Sequence, residues 1–386
     1  MKWVFRRTFS CDLLVVDTIG KGWLKTCLPE YTTTERLNIR EERIFLLEVR
    51  FIFRLFISCL WQALKRDGTL GYAWLSTLLR RLSPTVIVSC ADNNALLARF
   101  ATEHPNIPVV LIQNAMRDTK GSFDTQHDLP HYLSFGAIAA HILESLNLNC
   151  RVYQPVGSVK LGLALEKWEQ SSPATYDLAF ISHYRPEMFD DNYTPIQGRI
   201  ENCQHWLFGR AVEYAEKRNL GIVVLLKTRE QELQAAEKHY YETLAGDLPI
   251  KFVVADKGEH ELDTYIAGLS STLVIHPGST LGFELFAAGK KVIFGASFDP
   301  ELIDMWGVQP YFDVLPGMVK PPANCGKEQF FTLCDDLISC EERDYLLMSK
   351  DAAHSIVSMP EAMRPNEAIR EFISSMLQSS RVGQRQ

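Results

Sequence analysis

The sequence predicts a doubly wound α/β chain of two domains facing a cleft. Three observations carry this. Short apolar runs alternate with amphipathic segments in a βαβ rhythm. The rhythm runs once, stops at a polar stretch, Lys167 to Thr175, and then restarts. At 386 residues the chain is long enough for two ordinary domains.

In the first half, Thr85 to Cys90 reads as a strand and Asn93 to Thr102 as a helix. Val109 to Ile112 and Tyr132 to Phe135 read as strands, Ala137 to Leu146 as a helix, and Val152 to Val156 as a strand ending at Gly157-Ser158. In the second half, strands are expected over Tyr176 to Ser182, Gly221 to Leu226, Ile250 to Ala255, Leu273 to Ile275 and Lys291 to Phe294. Helices are expected within Ile196 to Arg218 and over Glu230 to Leu244, Glu261 to Ala267 and Ser279 to Ala288. From about Lys327 the chain reads as helical, with a frayed tail over Ser379 to Gln386. Parallel sheets covered by helices follow from this rhythm, so both domains are expected to be Rossmann-like, over 1–170 and 171–386.

The apolar segment Ile44 to Trp61 contains Glu48, Arg50 and Arg54 and is too charged to span a membrane comfortably. A helix buried in the first domain is the expectation. The other reading is a helix on a membrane surface, with Lys65 and Arg66 at its polar end and Arg80 and Arg81 further along. No signal peptide is expected, because no long apolar core follows Met1 to Arg7.

A net charge of −7 argues against a dedicated nucleic-acid binder. The nine cysteines form no CxxC pair, which suits a reduced, cytoplasmic compartment. The sequence has no GxxxxGK[ST] loop, HExxH, GxSxG elbow or zinc-ligand spacing, and no clear GxGxxG after the first strand. No metal is expected.

Ligands of open α/β sheets bind beyond the carboxyl ends of the strands, which makes the residues just after each strand the candidates. Gly278, Ser279 and Thr280 sit where a strand gives way to a helix, and free amides and the helix dipole favour a phosphate there. The competing reading is a well-capped helix start. Glu284, one turn on, is placed to reach a sugar hydroxyl. His183 and Arg185 follow another strand; the first suits phosphate contact or proton transfer, the second a bidentate contact with phosphate or carboxylate, and a polar loop with an Arg–Glu surface pair is the other reading. Lys227 and Arg229 follow a third and suit a diphosphate or a nucleoside monophosphate. His276 is open between contact with a base, phosphate or acceptor and a structural role. In the first half, Asp92 is a candidate general base or an N-cap. Gln113, Asn114 and Arg117 suit sugar hydroxyls.

The second half resembles the donor half of GT-B glycosyltransferases: strand, anion-binding loop, then Ser279-Thr280-Leu281-Gly282-Phe283-Glu284 and a later Gly289-Lys290-Lys291-Val292. Asp92-Asn93, Ile112-Gln113-Asn114, Gly157-Ser158 and Tyr176 to Ser182 are similar to segments of a family of bacterial surface-carbohydrate proteins of lipopolysaccharide or capsule biosynthesis. Ala115 stands where such proteins often have glycine. Lys227-Thr228-Arg229 stands where distant relatives tend to carry a Lys/Arg-x-His-Pro element.

This resemblance implies a glycosyltransferase using a nucleotide-activated sugar, with a CMP-ulosonic acid as one specific donor, and a glycan or glycolipid acceptor. Ser279, Thr280 and Lys227 would hold phosphate and Glu284 the ribose. The acceptor would lie beside Asp92, Gln113, Asn114 and Asp118. Asp92 would be the base of an inverting reaction; Glu187 or Asp190 could be the nucleophile of a retaining one. No DxD motif is evident, which fits a metal-independent reaction with no cofactor besides the donor. A hinge is expected near 157–175, and a peripheral contact with the inner membrane stays open. A sugar-nucleotide epimerase and a non-catalytic scaffold of a glycan assembly complex are the alternatives.

Overall fold

The structure, a computed structural model, describes residues 2–7, 9–64, 69–123, 125–171, 174–185, 194–228, 230–254, 262–359 and 363–383. The first domain is built on a six-stranded, wholly parallel sheet. Its strands are β2 (Leu13–Val16), β3 (Thr34–Leu37), β5 (Val86–Ser89), β6 (Val109–Ile112), β7 (Leu129–Ser134) and β8 (Cys150–Pro155), in the order β3-β2-β5-β6-β7-β8. Strands β2, β5 and β6 are continuous runs of buried residues, as a sheet covered on both faces requires. Outside it, β1 (Lys2–Arg6) pairs in parallel with β4 (Glu42–Leu46). Strands β1 to β4 lie before residue 85, where the sequence pattern predicts none.

The second domain has a five-stranded parallel sheet in the order β11-β10-β9-β12-β13. These are β9 (Tyr176–Ile181), β10 (Ile222–Leu226), β11 (Ile250–Val254), β12 (Ser271–His276) and β13 (Val292–Phe294). Three crossover helices matter below: α8 (Gln231–Ala245), α9 (Asp263–Leu269) and α10 (Thr280–Ala287). In each sheet the strand order reverses direction beside the first strand, β2 or β9, and such switch points open the crevices where ligands bind.

Three boundaries differ from expectation. Residues 167–169, expected as linker, complete helix α6 (Val159–Glu169). The chain leaves the first sheet earlier, at Gly157-Ser158. There Gly157 has φ 85 and a Cβ would lie 2.2 Å from the Ser358 carbonyl oxygen, so two crossing strands of chain exclude a side chain. The second correction is at the far end. Helix α15 (Pro365–Gly383) returns to the first domain, where Ile369, Ile373 and Leu377 share a core with Leu13, Val15, Val86 and Val110. The span 171–386 is therefore not one domain.

The third correction concerns Ile44 to Trp61. It breaks into β4 and a helix, α2 (Val49–Leu64), in which only Phe51 and Gln62 are buried. The expected buried helix lies on the surface, against α3 (Leu70–Leu82). Lys65 and Arg66 lie outside the described residues. Among the described residues, no helix is long and apolar enough to cross a membrane.

Candidate functional site

A cavity of about 450 Å³ lies between the two domains, at the carboxyl ends of β9, β10 and β12. It is of the size usual for small-molecule sites. Of the residues singled out from the sequence, Arg117, Asp118, His183, Arg185, Lys227, Gly278, Ser279 and Thr280 line it.

The β12–α10 turn is organised from behind by His276. This imidazole is fully buried, and its Nδ1 accepts the Ser279 N–H at 2.8 Å. Accepting at Nδ1 places the proton on Nε2. Burial pushes its pKa down to about 3, so it stays neutral. A Cβ on Gly282 would sit 2.2 Å from Nε2, so glycine there makes room for the ring. His276 thus shapes the turn and does not line the cavity, which corrects its expected place among the ligand contacts. The hydroxyl of Ser279, the N-cap of α10, makes no capping hydrogen bond, and first-turn amides of a helix have no intrahelical acceptor. Thr280 Oγ1 accepts the Met116 N–H from the first domain at 3.1 Å and keeps its own proton to donate. Gly278 lies under the Trp306 ring, 2.6 Å from where a Cβ would be.

Glu284 does not face the cavity. It is 1% exposed, its Oε2 accepts the Tyr265 hydroxyl at 2.6 Å, and its Oε1 accepts the Ser158 hydroxyl. Burial raises its pKa, against the lowering effect of these two hydrogen bonds. Ser158 is also the N-cap of α6, so Glu284 ties α10 to the point where the chain changes domain. The expected ribose contact is replaced by this interior bridge.

The loops after β9 and β10 are held by a residue the sequence reading missed. Glu237, on α8, is fully buried. Its carboxylate accepts the Ser182 hydroxyl, the Lys227 N–H at 3.1 Å and the Thr228 N–H at 3.0 Å. Backbone amides are thus drawn inward, and the Lys227 side chain is left exposed at the cavity rim. His183 is buried beside Trp306, with ring centroids 5.4 Å apart. Burial, then the charges of Lys227 and Arg185, push its pKa well down, and its Nε2 has no hydrogen-bond partner among the described residues. Arg185 Nε is likewise buried without one. Glu187, Asp190 and Arg229 lie outside the described residues.

First-domain candidates behave differently. Asp92 is fully buried, and its carboxylate is gripped by Arg117, whose Nε donates at 2.8 Å and whose Nη2 also donates, and by the Tyr132 hydroxyl at 3.0 Å. It neither lines the cavity nor caps a helix; Asn94 caps α4 (Ala95–Glu103) instead. An acid so committed is poorly placed as a base. Gln113 donates to the Ala115 carbonyl at 2.8 Å and accepts the Phe135 N–H at 2.8 Å, while Asn114 donates to the Cys90 carbonyl. Both hold the loop's shape and lie off the cavity wall, which corrects their expected acceptor contacts. Asp118 does line it, but its Oδ1 accepts the N–H groups of Lys120, Gly121 and Ser122 and its Oδ2 accepts the Ser122 hydroxyl. Lys160, at the start of α6, completes the wall together with Thr264, Tyr265 and Trp306. Arg117 is neutralised by Asp92, so among the described lining residues Lys160, Arg185 and Lys227 stand against Asp118, an excess of positive charge that suits an anion.

Two facing Rossmann-like sheets, a cavity between their carboxyl ends and a final helix that returns to the first domain define a fold of GT-B type. The comparisons with known proteins agree. No family model matches the sequence, and no curated protein matches it. Solved structures do match. UDP-GlcNAc 2-epimerase from Neisseria meningitidis, bound to UDP-GlcNAc, aligns over 98% of this chain and 100% of its own at 12% identity, with a TM-score of 0.50. The UDP-GlcNAc 2-epimerase of Methanocaldococcus jannaschii, in complex with UDP-GlcNAc and UDP, aligns over 89% and 94% at 13% identity and a TM-score of 0.50. The wall teichoic acid polymerase TagF aligns over 97% and 90% at 10% identity and a TM-score of 0.51.

Proposed function

We propose that this protein is a glycosyltransferase that takes a sugar from a nucleotide-activated donor and passes it to a bacterial surface glycan. The observation that carries this is the convergence, in one interdomain cavity, of Lys160, Arg185 and Lys227 with the first turn of α10. Fixed cations and amides there stabilise the phosphate of a departing nucleotide, which is the main electrostatic demand of such a transfer. The nucleotide-sugar ligands named for the structurally similar epimerases support the same class of guest.

His183 takes the proton-accepting role expected of Asp92. It is neutral in the free protein, and a bound phosphate offsets Lys227 and Arg185, raising its basicity as the donor arrives. An epimerase on this architecture needs carboxylates to move protons on the sugar ring. The described lining offers only Asp118, already engaged by its own loop.

Calorimetric titration with UDP, GDP, CDP and CMP tests the reading. At least one nucleotide is expected to bind. Lys227→Ala should weaken it by roughly tenfold, the loss of one charge-assisted contact. A folded protein that binds none of the four sinks the proposal. Release of an epimerised sugar from donor alone, without acceptor, would replace transfer with epimerisation.

A further inference from the structure

Helix α2 turns its apolar face away from the protein. Phe51 and Gln62 are buried and Leu55 packs against the same core. On the opposite side Val49, Ile52, Phe53, Phe56, Leu60 and Leu64 are 84, 58, 63, 61, 52 and 82% exposed. Their spacing by three and four residues makes one continuous stripe. The β1 strand extends it. Trp3 and Phe5 are 63 and 64% exposed and lie 5.0 and 6.0 Å from the Phe45 ring, which in turn meets Phe51 edge-on at 6.3 Å. Contiguous apolar surface on this scale marks an interaction site.

Charge identifies the partner. Helix α2 carries Arg50 and Arg54, both exposed and one turn apart on the flank of the stripe, and no acidic residue. Lys2, opposite Glu42 in the β1–β4 register, and Arg7, just past the end of β1, are also exposed. Glu48, the acid just before α2, is paired with Arg81 at 2.7 Å. At 16 residues, α2 is about 24 Å long, short of the roughly 30 Å needed to cross a bilayer. An apolar stripe with a basic flank and too little length to span lies in the plane of an interface.

We propose that α2 and the adjoining face of β1 dock the protein on a membrane carrying anionic lipid. This holds whatever the interdomain cavity binds. Docking through α2 onto a second copy is the competing occupant, and it would leave the arginines of both helices without an acid on the facing helix.

Sedimentation of the full chain with vesicles tests it. The protein should bind vesicles of phosphatidylcholine with phosphatidylglycerol more tightly than phosphatidylcholine alone, and less as salt rises. Arg50→Glu with Arg54→Glu should lower binding to the anionic vesicles by roughly tenfold or more and leave neutral vesicles unaffected. Phe53→Ser with Phe56→Ser should lower binding to both. The arginine pair, wholly at the surface, keeps the test open if the phenylalanine variant fails to fold. Absence of wild-type binding to anionic vesicles overturns the proposal. So does a dimer, seen by light scattering, that Phe53→Ser with Phe56→Ser dissociates.

Discussion

The loops at the carboxyl ends of the two sheets occupy equivalent places and use their polar residues in opposite ways. In the first domain, Asp92, Gln113 and Asn114 bond to Arg117, Tyr132 and the surrounding backbone, and none of the three reaches the cavity. In the second, Arg185, Lys227 and Ser279 line the cavity, while the groups that hold their loops lie behind them: Glu237 for two loops and His276 for the third. A polar residue after a strand therefore reaches the cavity where another residue satisfies the loop's backbone. Buried polar groups must be paired, and where the loop's own side chains do the pairing, little is left over.

Four substitutions bear on this contrast. Asp92→Ala should have the largest effect on stability. It strands the Arg117 guanidinium in the interior, which typically costs about 3–5 kcal/mol in chemical denaturation. An unchanged unfolding midpoint would return Asp92 to the list of catalytic candidates. Glu284→Ala comes next, at about 1–3 kcal/mol, because the Ser158 and Tyr265 hydroxyls lose their acceptor. Nucleotide affinity of the folded variant should stay near wild type; weakened binding at unchanged stability would restore the ribose contact.

His276 brings a pH dependence. Its folded pKa of about 3 lies below the ordinary value near 6.5. Its contribution is therefore fully present above about pH 6.5 and is lost as pH falls toward about 3, by at most about 1.4 kcal/mol per unit. His276→Asn should flatten that slope in denaturation curves taken across the acid range; an unaltered slope would mean the ring is not held neutral in the fold. Lys227→Ala closes the series. Exposed at the rim, it should shift stability by no more than about 0.5 kcal/mol while affecting nucleotide affinity. A large stability loss there would erase the distinction between the two sets of loops.

Much of the fold was legible. Strands β6, β9 and β10 and helices α7 (Pro195–Arg218), α8 and α10 fall within one residue of expectation at each end, because each is an apolar run of strand length or an amphipathic stretch bounded by Gly, Pro or a polar turn. The four strands before residue 85 were missed. β1, β3 and β4 mix charge with apolar residues, as edge and peripheral strands do, whereas β2 is a four-residue apolar run of the same kind as β6 and was overlooked. The domain boundary was misplaced because α6 ends in a polar turn that reads like a linker, although its first turn already packs against the second domain. In the site, Lys160 and Tyr265 carried no local signal, since each belongs to an element whose position is set only by the docking of the two domains. Glu237 reads as one more surface acid in a charged helix.

The sequence alone determined the second parallel sheet, four strands of the first and the strand-to-helix turns that suit an anion, since apolar periodicity and turn chemistry act over a few residues. It also marked Arg185 and Lys227, though not Lys160, as residues that could carry charge there. Only the tertiary structure decided which of them do. Burial of Asp92 and Glu284 obliges each to find partners inside the protein, and those partners lie far along the chain or across the domain boundary, whereas His276, equally buried, holds the turn three residues on. The same holds for α2: its pattern specifies two faces, and the packing of Phe51 against the core decides which of them meets water.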